Sequence, residues 1–528
     1  MDDRHQEIEV KLRVDPDKMS KIRRSRWWRQ IGPGHRQSLH SIYFDTDDRQ
    51  LRDSDISLRT RTDGHEFVQT VKMLNGSSIS RGEWEAFVPD PVPDPSLVID
   101  SALPQNFRKL TSADLRPVFD VDVKRETRRL TSARATIDVS LDNGAVTAGE
   151  ERAPVHEIEL ELVEGELTDL FGEAQRISDA VEGRLHARTK SELGYTLEAG
   201  AHRHWSRAAK LSLTPEMTAG EAFRHIILNA FAHLTVNDDC ARRNLDVEGV
   251  HQCRIALRRL RSALKIYRPL LRGKRVAPIE DDVRWLGRIL GAARDLDVLQ
   301  TELLEPAITA LGEAEHLAPL MENLKARKVD AYKLVREALE SARYRHLLIE
   351  LCALGYADDL GKSDSGKPGA DRPGLEQPLL ELASSALSRA HKKLLKRGDG
   401  FESLSKAERH QVRIALKRLR YALDFFGGAF DDERKKKFNK RLSRLQDDMG
   451  RMNDVAVAEA MLAQLVGVAG DGPESVAALA PGQLAFAAGG ILGWHRRRAA
   501  EIDVHLVKDW NAFVRAEPFW LREPNLAT

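Results

Sequence analysis

Two pentads far apart in the chain alternate charge with apolar residues: Glu7-Ile8-Glu9-Val10-Lys11 and Glu157-Ile158-Glu159-Leu160-Glu161. Read as β-strands, their period of two puts Glu7, Glu9 and Lys11 on one face of the first, and Glu157, Glu159 and Glu161 on one face of the second. One such strand alone is explained by a half-buried strand with its charges in water. Carboxylates crowded on a shared surface, however, raise one another's pKa unless a cation neutralises them. An all-oxygen cluster suits Mg2+ or Mn2+ better than zinc, which prefers nitrogen and sulfur. Between the pentads, Arg59, Arg61, Lys72 and Arg125 fall on alternating segments at positions able to line the same sheet. Arginine supplies a planar fork matched to phosphate oxygens, and lysine supplies a point charge. Carboxylates to hold a metal, beside cations to hold phosphate, describe a phosphoryl-transfer site.

A second pattern is helical. His251-Gln252-Cys253-Arg254-Ile255-Ala256-Leu257-Arg258-Arg259-Leu260-Arg261 recurs 159 residues later as His410-Gln411-Val412-Arg413-Ile414-Ala415-Leu416-Lys417-Arg418-Leu419-Arg420. At about 100° per residue, His251, Arg254, Arg258, Arg261 and Lys265 share one stripe, while Leu257, Leu260 and Leu264 form a core side. A lone basic stripe is a solvated face by default. Its return as His410, Arg413, Lys417 and Arg420 points instead to a surface for an extended polyanion. Aromatic residues near the stripes are few, Tyr267 and Tyr421 among them, so the stripes favour a chain of phosphates over nucleic acid.

The elements that must position these residues change character along the chain. A helix is expected over about 15–30, entered through Asp15-Pro16. Strands follow at 40–46, 57–61 and 67–72, with Asp63-Gly64 and Asn75-Gly76 as turn dipeptides. Beyond the proline-rich segment 89–95, a helical stretch is expected before a strand over 118–130, and Asp142-Asn143-Gly144 reads as a hairpin turn. Arg81 and Glu83 are open to being a surface ion pair, Arg128 and Arg129 are expected to be solvated, and His40 and Tyr43 to be structural. Past a linker at 205–217, helical periodicity takes over from residue 218. Leu286–Val298 and Leu445–Val457 keep the 159-residue offset, with Gly291 and Gly450 in register, so a duplicated bundle is expected over 218–360 and 375–520. Residues 361–374 read as a linker, Asp295 and Asp454 as ties between helices, and Trp494-His495-Arg496-Arg497-Arg498 as an extension of the basic surface. Trp510, Phe513, Phe519 and Trp520 read as packing residues of the last helix.

At 528 residues the chain is too long for a single core. Its 82 basic and 81 acidic side chains nearly cancel, so only their distribution speaks about partners. Three cysteines, with no CxxC pair, are expected as buried thiols in a reducing compartment. No secretory signal and no membrane span are visible, which sets a cytoplasmic expectation.

Residues 4–200 resemble a CYTH domain, the module of the triphosphate tunnel metalloenzymes. The likeness rests on Glu7-x-Glu9-x-Lys11, Tyr43-Phe44-Asp45-Thr46, Leu58-Arg59-Thr60-Arg61, Thr70-Val71-Lys72 and Arg81-Gly82-Glu83, followed in order by Leu141-Asp142-Asn143-Gly144, Glu157 to Glu161 and Thr189-Lys190-Ser191. The resemblance implies an antiparallel eight-stranded β-tunnel over 1–204. It implies Glu7, Glu9, Glu159 and Glu161 as metal ligands, with Asp142 and Glu157 as further candidates. Lys11, Arg59, Arg61, Lys72, Arg125 and Lys190 would grip phosphates. Residues 218–520 resemble a CHAD domain, the conserved histidine α-helical domain, through the two basic repeats and Gly291-Ala292-Ala293-Arg294-Asp295-Leu296-Asp297-Val298. That likeness implies two four-helix bundles that bind inorganic polyphosphate, and with it an association with polyphosphate granules. The whole is then expected to be a metal-dependent inorganic triphosphatase joined to a polyphosphate-binding module. An adenylyl cyclase, or another nucleoside or thiamine triphosphate enzyme of the same fold, stays open, as do a non-catalytic scaffold, the general base and the oligomeric state.

Overall fold

The computed structural model describes residues 6–521 apart from 64–65, 75–79, 201–203, 272–274, 312–313, 358–359, 361–373, 431–432 and 468–480. The dipeptides at 63–64 and 75–76 and the linker at 361–374 therefore lie wholly or partly outside the described residues, as do the side chains of Asn453, Asp454 and Arg498.

By contact density the chain divides into two units, the first comprising Met1–Ala208 with Ile227–Cys240 and Leu339–Ala357. Its centre is a closed antiparallel barrel of eight strands: β1 (Gln6–Arg13), β2 (Gly34–Asp45), β3 (Ile56–Asp63), β4 (Glu66–Leu74), β5 (Ser80–Val88), β6 (Arg116–Thr131), β7 (Thr136–Ala148) and β8 (Glu151–Glu164). The strand order is β5-β4-β3-β2-β6-β7-β8-β1, and β1 pairs back onto β5 to close the sheet. Closure removes every open edge but one stretch of β1. There, Lys11–Arg13 pairs with the short β9 (Arg184–His186). The two acidic pentads are direct neighbours, with Glu9 opposite Glu161 and Lys11 opposite Glu159.

Alternation sorts the strands into a charged lumen and an apolar exterior. Val10, Leu12, Ile158 and Leu160 point outward and are buried. Helix α1 (Pro16–Arg24) ends at Ser25, whose hydroxyl caps the short turn Arg26–Gln30, so the one helix expected over 15–30 is broken in two. Helix α2 (Leu167–Val181) covers β1 and β8 from outside. At one end of the barrel the lumen-facing positions are apolar, and α3 (Lys190–Glu198) packs on Tyr43, Phe119 and Val121 through Tyr195 and Leu193. This helix plugs that end.

Two local expectations fail for reasons outside their own segments. Asp142-Asn143-Gly144 is no turn, because β7 runs straight through it. The glycine is required by the neighbouring strand, since a Cβ on Gly144 would lie 1.9 Å from the carbonyl oxygen of Asp122 on β6. The segment before Val118 is not an α-helix but a strap with three 3-10 turns, at Pro95–Leu97, Phe107–Lys109 and Ser112–Asp114. Its prolines and Asp94, which caps the first turn, stop helical propagation. The strap buries Val98, Leu103, Phe107 and Leu115 on the outer face of the β2–β5 wall.

The helical region contains α4 (Ala219–Arg243), α5 (Val247–Tyr267), α6 (Val276–Val298), α7 (Ala314–Glu340), α8 (Ala342–Tyr356), α9 (Leu379–Arg397), α10 (Lys406–Phe426), α11 (Arg434–Gly467) and α12 (Pro481–Val514). Helices α5 and α10 both have 21 residues and are displaced by the sequence repeat. The fourth helix of the first copy is interrupted at Ser341, which caps α8 by accepting from Tyr344 N at 3.2 Å. Leu257, Leu260 and Leu264 are buried, as are Leu416, Leu419 and Leu423. Helices α5 and α10 pack on each other: the Tyr267 and Phe426 rings lie 6.3 Å apart, and the Arg259 guanidinium is 5.9 Å from the Phe425 ring.

Candidate active site

The barrel encloses a cavity of about 460 Å³. Glu7, Glu9 and Lys11 of β1, Arg59 and Arg61 of β3, Lys72 of β4, Arg125 of β6, Asp142 of β7, Glu159 and Glu161 of β8, and Lys190 of α3 all line it. Ten of these eleven side chains come from strands, where the period of two aims alternate residues inward. Lys190 comes from the first position of α3, set there by Thr189, which caps the helix by accepting from Glu192 N at 3.0 Å.

Acid and base interlock in the lumen. Lys72 reaches Glu7 at 2.5 Å and Glu83 at 3.2 Å. Lys11 contacts Glu9, and Glu159 at 3.1 Å. Arg125 holds Asp142 with two parallel bonds of 2.7 and 2.6 Å and also contacts Glu159. Lys190 binds Asp142 and Glu159 at 2.8 Å each. Arg59 differs from these cations. Its Nε is buried without a hydrogen-bond partner among the described residues, and the groups that favour its charge are Tyr43, by charge and hydrogen bond, and Glu83.

The carboxylates fall into two groups. Asp142, Glu157 and Glu159 present oxygens within 4.8 Å of one another. Burial alone would raise the pKa of Glu157 and Glu159. The neighbouring Lys190, with Lys11 and Arg125 at Glu159, wins instead and holds Glu157 down to about 2 and Glu159 well below the usual range. The second group lies toward Glu161, which is exposed at the open end. Partial burial together with the charges of Glu7 and Glu9 pushes Glu161 up to about 7, and burial with Glu9 also raises Glu7. Carboxylates exceed cations here, and the donors are all oxygen. Such a set fits a hard divalent cation, whose charge removes the repulsion.

Glu157 shares that oxygen cluster with Asp142 and Glu159 but reaches it from the wall. Glu157 does not line the cavity; it is buried behind Lys190, with His186 Nε2 at 3.3 Å. Burial lowers His186 to about 4, so it is a neutral partner near neutral pH. Conversely, Arg81 is no surface pair. It is buried in the lumen wall with Glu9 at 2.9 Å, while Glu83 and Glu85 line the same cavity from β5. The alternation Arg81-x-Glu83-x-Glu85, in phase with a strand, is the signal that marks them. Arg128 is packed rather than solvated, bonded to Glu126 at 2.9 Å and lying over Trp28, and Arg129 pairs with Asp138 at 2.7 Å. Asp45 of the Tyr-Phe-Asp-Thr segment is structural: fully buried, it accepts from Thr46 N, Leu51 N, Arg52 N and the Tyr195 hydroxyl. Tyr43 stacks on Phe119 at 4.6 Å, and the exposed His40 bonds Asp122 at 2.7 Å.

On the helices, the basic stripe is only partly available. Arg254 is a tie between helices, donating to the Gly291 carbonyl at 2.5 Å and pairing with Asp295 at 3.3 Å. A side chain at Gly291 would meet that guanidinium at 3.1 Å. Burial, then Arg294, lowers His251 to about 4, which makes it a neutral member of the stripe. Arg261, Lys265 and His410 are exposed; Arg258, Arg413, Lys417 and Arg420 are half-buried, and Arg420 donates to Ser443 and Asp424. Partial burial and the nearby Arg418, Lys393, Arg261 and Arg268 lower the pKa of Lys265, so cations from both copies crowd one place.

A closed antiparallel tunnel whose lumen interleaves carboxylates, densest on β1 and β8, with lysines and arginines from β1, β3, β4, β5 and β6 defines a triphosphate-tunnel type of fold. Family comparison agrees: residues 5–190 match the CYTH domain and residues 225–463 the CHAD domain, and the chain belongs to these families as a CYTH–CHAD fusion. Over 196 residues it is 28% identical to an inorganic triphosphatase of Haemophilus influenzae, covering 36% of this chain and 55% of that protein. Over 349 residues it is 28% identical to an uncharacterized protein of Mycobacterium tuberculosis, covering 60% and 63%. The chain thus spans less than two thirds of the length of either curated relative. The crystal structure of the CHAD domain from the plant Ricinus communis is 31% identical, covering 60% of this chain and 99% of that one, with a TM-score of 0.49. Among the described residues no helix is long and apolar enough to cross a membrane.

Proposed function

We propose that the tunnel hydrolyses inorganic triphosphate to pyrophosphate and phosphate with Mg2+ or Mn2+, and that the basic faces of α5 and α10 hold polyphosphate. The observation that supports this most is the lumen's composition: seven cations, Lys11, Arg59, Arg61, Lys72, Arg81, Arg125 and Lys190, around one narrow cavity interleaved with carboxylates. A triphosphate competes for those cations, and each carboxylate it displaces becomes available to a metal. Arg59, whose Nε has no partner among the described residues, is the ready phosphate contact. Glu7, Glu9, Glu159 and Glu161 would hold the metal. Asp142 stays with Arg125 and Lys190, and Glu157 positions Lys190 from behind. When bound, the metal would supply polarisation of the phosphoryl group and activation of water. The arginines and lysines orient the phosphates and stabilise the charge that develops in the transition state. Because α3 covers one end, the chain of phosphates is expected to enter from the other.

Phosphate release from triphosphate, ATP and thiamine triphosphate, each with Mg2+ or Mn2+, tests the reading. Triphosphate is expected to be the preferred substrate, and Glu9→Gln is expected to lower its turnover at least about a hundredfold. Cyclic AMP formation from ATP with little release from triphosphate would sink the reading. Wild-type release no greater than that of Glu9→Gln would reduce the tunnel to a binding scaffold.

A further inference from the structure

Lys190 is engaged differently from the other two lysines of the lumen. Lys72 meets two carboxylates, Glu7 and Glu83, and Lys11 meets two, Glu9 and Glu159. The Lys190 ammonium meets three: Asp142 and Glu159 at 2.8 Å each, and Glu157. An ammonium has three N–H donors, so none is left for a phosphate oxygen unless a carboxylate is released. Asp142, Glu157 and Glu159 are all buried, and only 12% of the Lys190 side chain is exposed. The backbone beneath it is pinned at the start of α3, where Thr189 N donates to the Glu192 carboxylate at 2.7 Å and the Thr189 hydroxyl accepts from Glu192 N.

The three carboxylates around this ammonium have the spacing of a metal site. Their oxygens lie within 4.8 Å of one another. A divalent ion holds oxygens at about 2.0–2.6 Å, which puts ligands on opposite sides of it about 4–5 Å apart. Here one lysine nitrogen touches all three. Charge is matched as well, because Lys190, Arg125 and Lys11 face the three carboxylates, although Lys11 is shared with Glu9. Both oxygens of Glu159 are taken, Oε1 by Lys190 and Lys11 and Oε2 by Arg125. Toward Glu161 the carboxylates stay in excess, so an incoming divalent ion is drawn there rather than to the inner group.

On the metal-dependent reading of the tunnel, we propose that Lys190 is a positioning residue that takes the place of a second divalent ion: its ammonium gathers Asp142, Glu157 and Glu159, so that before triphosphate arrives the lumen takes up a single exchangeable ion, at Glu7, Glu9 and Glu161. Glu159 joins that ion only when triphosphate draws Lys11 or Arg125 away, and the phosphates are gripped by the other cations of the lumen. The inner charge comes from α3, the helix that covers the closed end, so a chelator leaves it in place.

Mn2+ bound by the full chain, counted after equilibrium dialysis against a fixed free concentration without triphosphate, tests the proposal. Lys190→Ala, purified with Mn2+ present so that it can fold around the ion, is expected to bind one ion more than the wild type. In the double variant Lys190→Ala, Glu157→Gln the count is expected to return to that of the wild type. Mn2+ is also expected to raise the melting temperature of Lys190→Ala more than that of the wild type. Equal counts in wild type and Lys190→Ala would overturn the proposal, as would an extra ion that survives Glu157→Gln. So would a Lys190→Ala protein that fails to fold even with Mn2+, since an ion could then not replace the ammonium. Phosphate release from triphosphate by the wild type separates the two readings. Its absence, with the counts as expected, would overturn the hydrolytic function alone; equal counts with release intact would overturn the role of Lys190 alone.

Discussion

Glu9 and Glu161 face each other across β1 and β8 yet treat protons oppositely. Burial would raise Glu9, but Lys11 and Arg81 outweigh it and bring it to about 2, whereas Glu161, short of cations, rises to about 7. A carboxyl whose folded pKa lies above its ordinary 4.5 costs stability as pH climbs from there toward 7, because the fold then contains a charge it disfavours. The metal-free protein is therefore expected to lose stability between about pH 5 and pH 7, and Mn2+ to restore it. The denaturation midpoint at both pH values, with and without Mn2+, checks this; Glu161→Gln is expected to flatten the dependence. Metal binding near pH 6 is likewise expected to release a proton, seen as buffer-dependent heat in calorimetry. At this scale the sequence was largely readable, because one alternating pattern names both the inward and the outward residues. Arg81 was harder to place: a charged residue next to a glycine looks like surface until the strand closes on β1 and buries it beside Glu9.

Elements were legible where their own pattern was sufficient and misread where a neighbour decided. The duplicated helices α5 and α10 start and stop together, because each carries its own cap, Asp246 in one and Ser405 in the other. The Asp142-Asn143-Gly144 segment obeys turn chemistry locally but serves as a strand, since the close approach of β6 excludes any side chain at position 144. Gly144→Ala must displace the β6–β7 pairing and is expected to cost about 1–3 kcal/mol, read as a lowered denaturation midpoint. The strap before β6 has the length and residues of a helix in places, yet its prolines and its caps direct it across the barrel instead.

On the scale of the whole molecule, tunnel and helices are expected to separate in function but not in folding. Charge reversal at the exposed Arg261 and Lys265 is expected to weaken long-chain polyphosphate binding about tenfold at low salt, with a shallower salt dependence, and to leave triphosphate hydrolysis nearly unchanged. Arg254, tied to Gly291 and Asp295, is a poor choice for that experiment, since its reversal breaks a contact between helices. The helical stretches Ile227–Cys240 and Leu339–Ala357 group with the barrel, where Arg13 lies 4.0 Å from Asp238, and Asn237 bonds Ser206 at 2.9 Å. A fragment ending at residue 204 is therefore expected to unfold at lower denaturant than the intact chain, followed through its buried Trp28 and Trp84.

The pairing that closes the barrel has a consequence in time. Glu9 meets Glu161 only after about 150 intervening residues have been made and folded, a long-range contact of the kind that forms late. Until then β1 has no partner on β8, and the two acidic walls are apart. On the proposed function, binding of a divalent ion and of triphosphate is therefore expected to appear together, once β1 has closed on β8.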